Sequence, residues 1–153
     1  MSGASSRAPR AAAQLSLLPE LLIAALLGAL HSLSFAHTAA WPLQMAVVAL
    51  LAWRAAGATP RRAAWIGLVF GTAWLAAGTW WLFISLHTYG GLPAWLAVLA
   101  IGLLSAFLSL YLAAALAAFS RWRSGSAVRD ALLFGAVWLL AELARGVIFT
   151  GFP

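Results

Sequence analysis

Residues 21–53 read LLIAALLGALHSLSFAHTAAWPLQMAVVALLAW, and how this stretch is divided decides the fold. It carries no formal charge over 33 residues. As one helix it would run about 50 Å at 1.5 Å per residue, well beyond a hydrocarbon core of about 30 Å. His31, Ser32, Ser34, His37, Thr38 and Pro42 cluster in its middle. The stretch therefore divides into two spans, about 15–35 and 41–56, joined by a tight hairpin. The second span is short, so Arg54 is expected to snorkel from its end.

Working outward, the whole chain has the same character. Its 153 residues are 65% hydrophobic and only 8% charged, against roughly 25% charged in a soluble domain. So little polar side chain cannot cover a globule in water, and the sequence reads as an all-α, polytopic transmembrane bundle. Further spans are expected at about 63–86, 93–119 and 127–149, with Gly57–Pro60, Gly90–Pro93 and Ser124–Ser126 punctuating the connections. Arg7 and Arg10 ahead of an apolar run resemble a secretory signal. However, 15–35 is too long for a signal's apolar region and more spans follow, so it is read as a retained first span behind a cytoplasmic tail, 1–14.

Charge tests the division into spans. Arginines fall 2, 0, 3, 0, 3 in the tail and successive connections: Arg7 and Arg10; none; Arg54, Arg61 and Arg62; none; Arg121, Arg123 and Arg129. Basic residues favour the cytoplasmic side, so the alternation gives five spans, with the N-terminus inside and the C-terminus outside. It also places HTYGG (87–91) and FTGFP (149–153) on one outer face. Gly67 and Gly71, with Ser105, Ser109, Ala113 and Ala117, form small-residue stripes that permit close helix approach. An alanine-rich composition explains the same pattern equally well.

The composition also excludes classes of function. There are no cysteines, hence no disulfide, thiolate nucleophile or Cys metal site. The net charge of +6 is sparse and better explained by topology than by nucleic-acid binding. Three histidines without neighbouring carboxylates make no metal site. No serine-hydrolase elbow, zinc-protease helix or nucleotide loop occurs, and no cofactor is implied.

A few polar residues require a reason. Glu142 and Arg145 lie three apart, on one helix face, at a depth where charge is costly. Two readings stand: a self-satisfied pair that locks packing, or a polar floor beneath an outward-facing substrate site where Arg145 holds a phosphate or carboxylate. Trp80, Trp81 and Tyr89 suit the membrane interface, and Gly90, Gly91 and Pro93 suit a tight interfacial turn. Within that turn His87 can titrate near neutral pH and meet a lipid phosphate. Glu20, behind Pro19, and Asp130 each start a span, where negative charge suits the helix dipole. His31 and His37 read as ordinary polar groups of the first hairpin.

Two stretches carry a resemblance. WWLFISLHTYGGLP (80–93) resembles the segment after the third span of bacterial apolipoprotein N-acyltransferases: Trp, apolar residues, Ser, then Thr, an aromatic residue, Gly-Gly and Pro. AELARGVIFTGFP (141–153) resembles their Glu-x-x-Arg-Gly-x-x-x-Thr-Gly-Phe-Pro motif, with Glu142, Arg145, Gly146, Thr150, Gly151, Phe152 and Pro153 matching. The second is the more specific, and the likeness extends over essentially the whole chain. It implies a bundle of membrane helices carrying an inserted nitrilase-like outer domain, in the bacterial inner membrane. The implied reaction moves an acyl chain from a phospholipid to the N-terminal amine of a diacylglyceryl-cysteine on an apolipoprotein. In the family a Glu-Lys-Cys triad performs it, the Cys carrying the acyl group as a thioester.

This chain has neither Cys nor Lys, so two triad members have no counterpart in it. The expectation is the N-terminal membrane part of such an enzyme, cut before the catalytic domain and inactive by itself. No catalytic residue is assigned. His87, Tyr89, Glu142, Arg145 and Thr150 are the candidate cavity-lining or substrate-binding residues. The implied partners are a phospholipid donor, a diacylated apolipoprotein acceptor and membrane lipid. A small transporter or channel subunit using Glu142, Arg145 and His87, or a scaffold without substrate, are the alternatives.

Overall fold

The fold is described by a computed structural model covering residues 16–36 and 38–148. The tail, His37 and the segment 149–153, with Thr150 and the end of the second motif, lie outside the described residues. The elements are α1 (Leu17–Ala36), a single 3₁₀ turn (Thr38–Ala40), α2 (Trp41–Gly57), α3 (Pro60–Gly78), α4 (Trp81–Phe83) continuing into a π-helical turn (Ile84–Tyr89), α5 (Ala94–Leu108), α6 (Leu110–Trp122) and α7 (Ala127–Ile148). Among the described residues there is no strand.

The apolar run at 21–53 is divided between α1 and α2. α1 carries Pro19 in its first turn, where a missing N–H costs nothing. α2 starts at Trp41 with Pro42 in the same role. Among the described residues, three helices are long and apolar enough to cross a membrane: Leu17–Ser34, the rod Ala94–Trp122 and Ala127–Ile148. A fourth results if α3 and the 81–89 segment count as one span. α2, at 17 residues, is about 26 Å long. Leu22, Leu26, Leu103, Leu132 and Leu140 are 60–70% exposed. So much bare leucine on the outside fits lipid rather than water, and the chain is a membrane protein.

One expected span is not continuous. The reading of 63–86 as a single helix fails at Thr79, where α3 and the next segment meet at 59°. The Thr79 hydroxyl donates to the Leu75 carbonyl at 2.7 Å, beside the backbone bond from Thr79 N–H to the same oxygen. A hydroxyl competing for the helix's own acceptor, next to Gly78, favours a bend. Trp80 and Trp81 follow with half or more of their surface exposed. The expected span at 93–119 is likewise a rod with a break at Ser109, whose hydroxyl donates to the Ser105 carbonyl at 2.6 Å.

α3 is the central helix, between α1 and α6. Phe70, Ile66, Leu51 and Leu116 fill the core. The small stripes mark the closest approaches. A Cβ on Gly67 would lie 2.8 Å from the Leu112 carbonyl oxygen, and one on Gly71 would lie 2.7 Å from Ser109 Oγ. A Cβ on Gly28 of α1 would overlap the Phe70 carbonyl. In lipid, such backbone proximity supplies packing that apolar bulk alone cannot.

Candidate functional site

Helix α7 runs away from the arginine-rich connections and carries Glu142 and Arg145 near its far end. The guanidinium of Arg145 pairs with the Glu142 carboxylate through Nη2 and Oε2. Glu precedes Arg by three residues, the favourable direction for a helical pair. Arg145 Cζ also lies 5.8 Å from the Trp74 ring centre, within cation–π range. The cation is sunk, with 8% of its side chain exposed, while the carboxylate keeps 32%. Arg145 Nε is buried with no hydrogen-bond partner among the described residues.

The pair lies on a cleft of about 530 Å³ between α2 and α7. His31 of α1, Gln44 and Val48 of α2, Trp74 of α3 and Phe134, Trp138 and Leu139 of α7 also line it. Its floor is aromatic. His31 meets Trp74 edge-on at 4.7 Å, and Trp74 stacks with Trp138 at 6.1 Å. Phe134 lies 5.7 Å from Trp138. A second space of about 10 Å³, room for about one water, lies on the other side of Arg145, against Gly71, Ser109 and Tyr111. The arrangement offers hydrocarbon a wall and an anion a buried guanidinium. It contains no thiol or amine that could act as a nucleophile.

The predicted candidates separate. Glu142 and Arg145 come together on the cleft; His87 and Tyr89 are not among its lining residues. Tyr89 ends the π-helical turn and is 85% exposed. His87 is exposed in the same turn, and its Nδ1 lies 2.7 Å from the Leu92 carbonyl. A carbonyl only accepts, so Nδ1 donates to it. π-turns recur at functional sites. Thr150 lies outside the described residues.

Sequence reasoning missed three things. His31 is not a hairpin group: it sits inside α1, 2% exposed, against Phe70 and Trp74. A histidine within an apolar span was the available signal. Trp74 and Trp138 looked like ordinary span residues, because their meeting depends on α3 and α7 both packing against α6. Glu20 is more than a dipole partner. It is 5% exposed and accepts from Arg54 Nη2 at 2.7 Å and from Arg62 Nε. Arg54 therefore does not simply snorkel; it turns to Glu20 and lies over Trp53 at 5.6 Å. A buried carboxylate attracts cations more strongly than an exposed helix end does.

Comparison with known proteins adds the context. Residues 27–153 match the family model described as the apolipoprotein N-acyltransferase N-terminal domain. The chain is 54% identical over 118 residues to an apolipoprotein N-acyltransferase of Verminephrobacter eiseniae, covering 74% of this chain and 22% of that protein. It is 46% identical over 137 residues to the Ralstonia nicotianae protein of the same name, covering 86% and 26%. A Pseudomonas putida protein of that name is 38% identical over 137 residues, covering 88% and 27%. The chain thus spans about a quarter of the length of these curated relatives.

Proposed function

Because the chain belongs to the apolipoprotein N-acyltransferase family, we propose that it forms the membrane part of an enzyme that moves an acyl chain from phospholipid to the N-terminal diacylglyceryl-cysteine of apolipoproteins. The observation carrying this reading at the site is the aromatic cleft ending at Glu142 and Arg145. An acyl chain suits the aromatic wall, and the planar fork of Arg145 suits a phosphate or ester oxygen at its end. His87, Tyr89 and Thr150 belong to the same outer face on this reading. The chain's role is to bind and orient lipid. Its lack of Cys and Lys places the covalent acyl step outside these residues, so the chain alone transfers nothing.

The topology proposed is five spans in the bacterial inner membrane, with α2 as the short second span and the arginine-rich end cytoplasmic. Reporter fusions after Arg62 and Ser124 then read cytoplasm, and one after Gly91 reads the outer side. A cytoplasmic Gly91 fusion would overturn the five-span arrangement.

The function is tested in the complete enzyme by following triacylated product from phospholipid and a diacylated lipopeptide. Arg145→Gln and Glu142→Gln are each expected to lower both folded yield and activity. The double change is expected to recover folding, because no charge is stranded, without recovering activity. Recovery of both would reduce the pair to a packing device. Acyl transfer by the 153-residue chain alone would contradict the division of labour.

A further inference from the structure

At the end opposite the cleft the chain has more positive charge than it can neutralise. The Ser120 hydroxyl donates to the Ala58 carbonyl at 2.6 Å. This bond holds the last turn of α6 against the α2–α3 connection, so Arg61 in the first turn of α3 and Arg121 and Arg123 at the end of α6 lie at the same end of the bundle. All three are exposed and none makes an ion pair with a described carboxylate.

The chain has three acidic side chains, and each is already engaged. Glu20 takes Arg54 and Arg62. Glu142 takes Arg145 at the far end. Asp130 accepts from the backbone N–H and hydroxyl of Ser124 and from Gly125 N–H, with Arg123 near enough to attract it but not paired. Trp53, near the end of α2, and Trp122, the last residue of α6, are 59% and 67% exposed. Exposed indoles favour headgroup depth, which places these arginines among lipid phosphates.

We propose that Arg61, Arg121 and Arg123 form a site for the headgroup of an anionic phospholipid. Each guanidinium can hold phosphate oxygens with two parallel N–H donors. A zwitterionic headgroup brings its own cation to a surface already rich in positive charge, whereas a net-negative one does not. The site is remote from the cleft and independent of the acyl-transfer reading.

The test uses the 153-residue chain in detergent, offered equal amounts of phosphatidylglycerol and phosphatidylcholine with the same acyl chains. Lipid retained on the folded protein is read by native mass spectrometry. Phosphatidylglycerol is expected to be retained at least about fivefold better, the scale of a single surface arginine. Replacing Arg61, Arg121 and Arg123 together by Gln should remove that preference, and replacing them by Lys should keep most of it. Equal retention by the wild type, or a preference surviving the Gln variant, overturns the proposal. Displacement by inorganic phosphate at about 10 mM, a low concentration beside the screening salt, would mean a free-anion site and overturns it as well. Circular dichroism and gel filtration check folding. Should the Gln variant fail to fold, a wild-type salt series decides: the preference must fall between about 50 and 500 mM NaCl, because exposed charges are screened. A salt-independent preference overturns the site.

Discussion

The two arginine–carboxylate clusters lie at opposite ends of the bundle and are built differently. Glu142 and Arg145 are three residues apart on one helix, so local geometry alone brings them together. Glu20, Arg54 and Arg62 come from α1, α2 and α3, up to 42 residues apart, and meet only when those helices pack. The Glu142–Arg145 pair opens onto a cleft of about 530 Å³. In the other cluster, Glu20 and Arg54 border a space of only about 10 Å³. The difference teaches how charge is used in a membrane bundle. Charge spread over three helices and closed off acts as a clasp. Charge on one helix, half open to a cleft, remains available to a ligand.

The comparison can be broken most decisively at Glu20. Glu20→Gln leaves two mostly buried guanidiniums without their carboxylate. It is expected to cost about 3–5 kcal/mol, the scale for stranding one side of a buried pair. Unfolding in mixed micelles would show it, and an unchanged midpoint would mean that the clasp is solvated. A smaller effect is expected from Gly28→Val, which pushes α1 off the Phe70 backbone at mid-depth. Overpacking of this kind costs about 1–3 kcal/mol. Because α1 carries both Glu20 and His31, the variant should disturb both ends, as read by tryptophan fluorescence and by Glu20-dependent stability. Disturbance at one end only would mean that the clusters are mechanically separate.

The Glu142–Arg145 pair should be more tolerant. Glu142→Gln is expected to cost about 1–2 kcal/mol, nearer the value for a lost charged hydrogen bond than for a sealed pair, because nearly a third of the carboxylate is exposed. A loss as large as that of Glu20→Gln would show that the cleft is closed to solvent and remove the contrast. The smallest effect is expected at Asp130, whose bonds to Ser124 and Gly125 lie in an exposed turn. Asp130→Asn should leave the unfolding midpoint within measurement error. A clear shift would make that turn part of the clasp.

Much of this was legible in the sequence, for definable reasons. Helix existence follows from long apolar runs, which have no other way to satisfy their backbone in lipid. The hairpin at 36–41 follows from the length of the uncharged stretch and the polar residues within it. The Glu142–Arg145 pair follows from its spacing, and the Gly67 and Gly71 contacts from their periodicity. Each of these depends on residues close together along the chain. The bend at Thr79 was hidden because one hydroxyl decides it inside a continuous apolar pattern.

By itself, then, the sequence determined that the chain is a helical membrane protein, where most of its helices begin and end, and, through two short motifs, its family. Only the tertiary structure decided that Glu20 clasps three helices and that His31, Trp74 and Trp138 form the floor beneath Arg145. The physical reason is range. Helix formation and i,i+3 pairing are set by neighbours within a turn. In a bundle, the partner of a buried charge or ring is set by which helix faces meet, and those meetings depend on glycine contacts such as Gly28 against the Phe70 backbone.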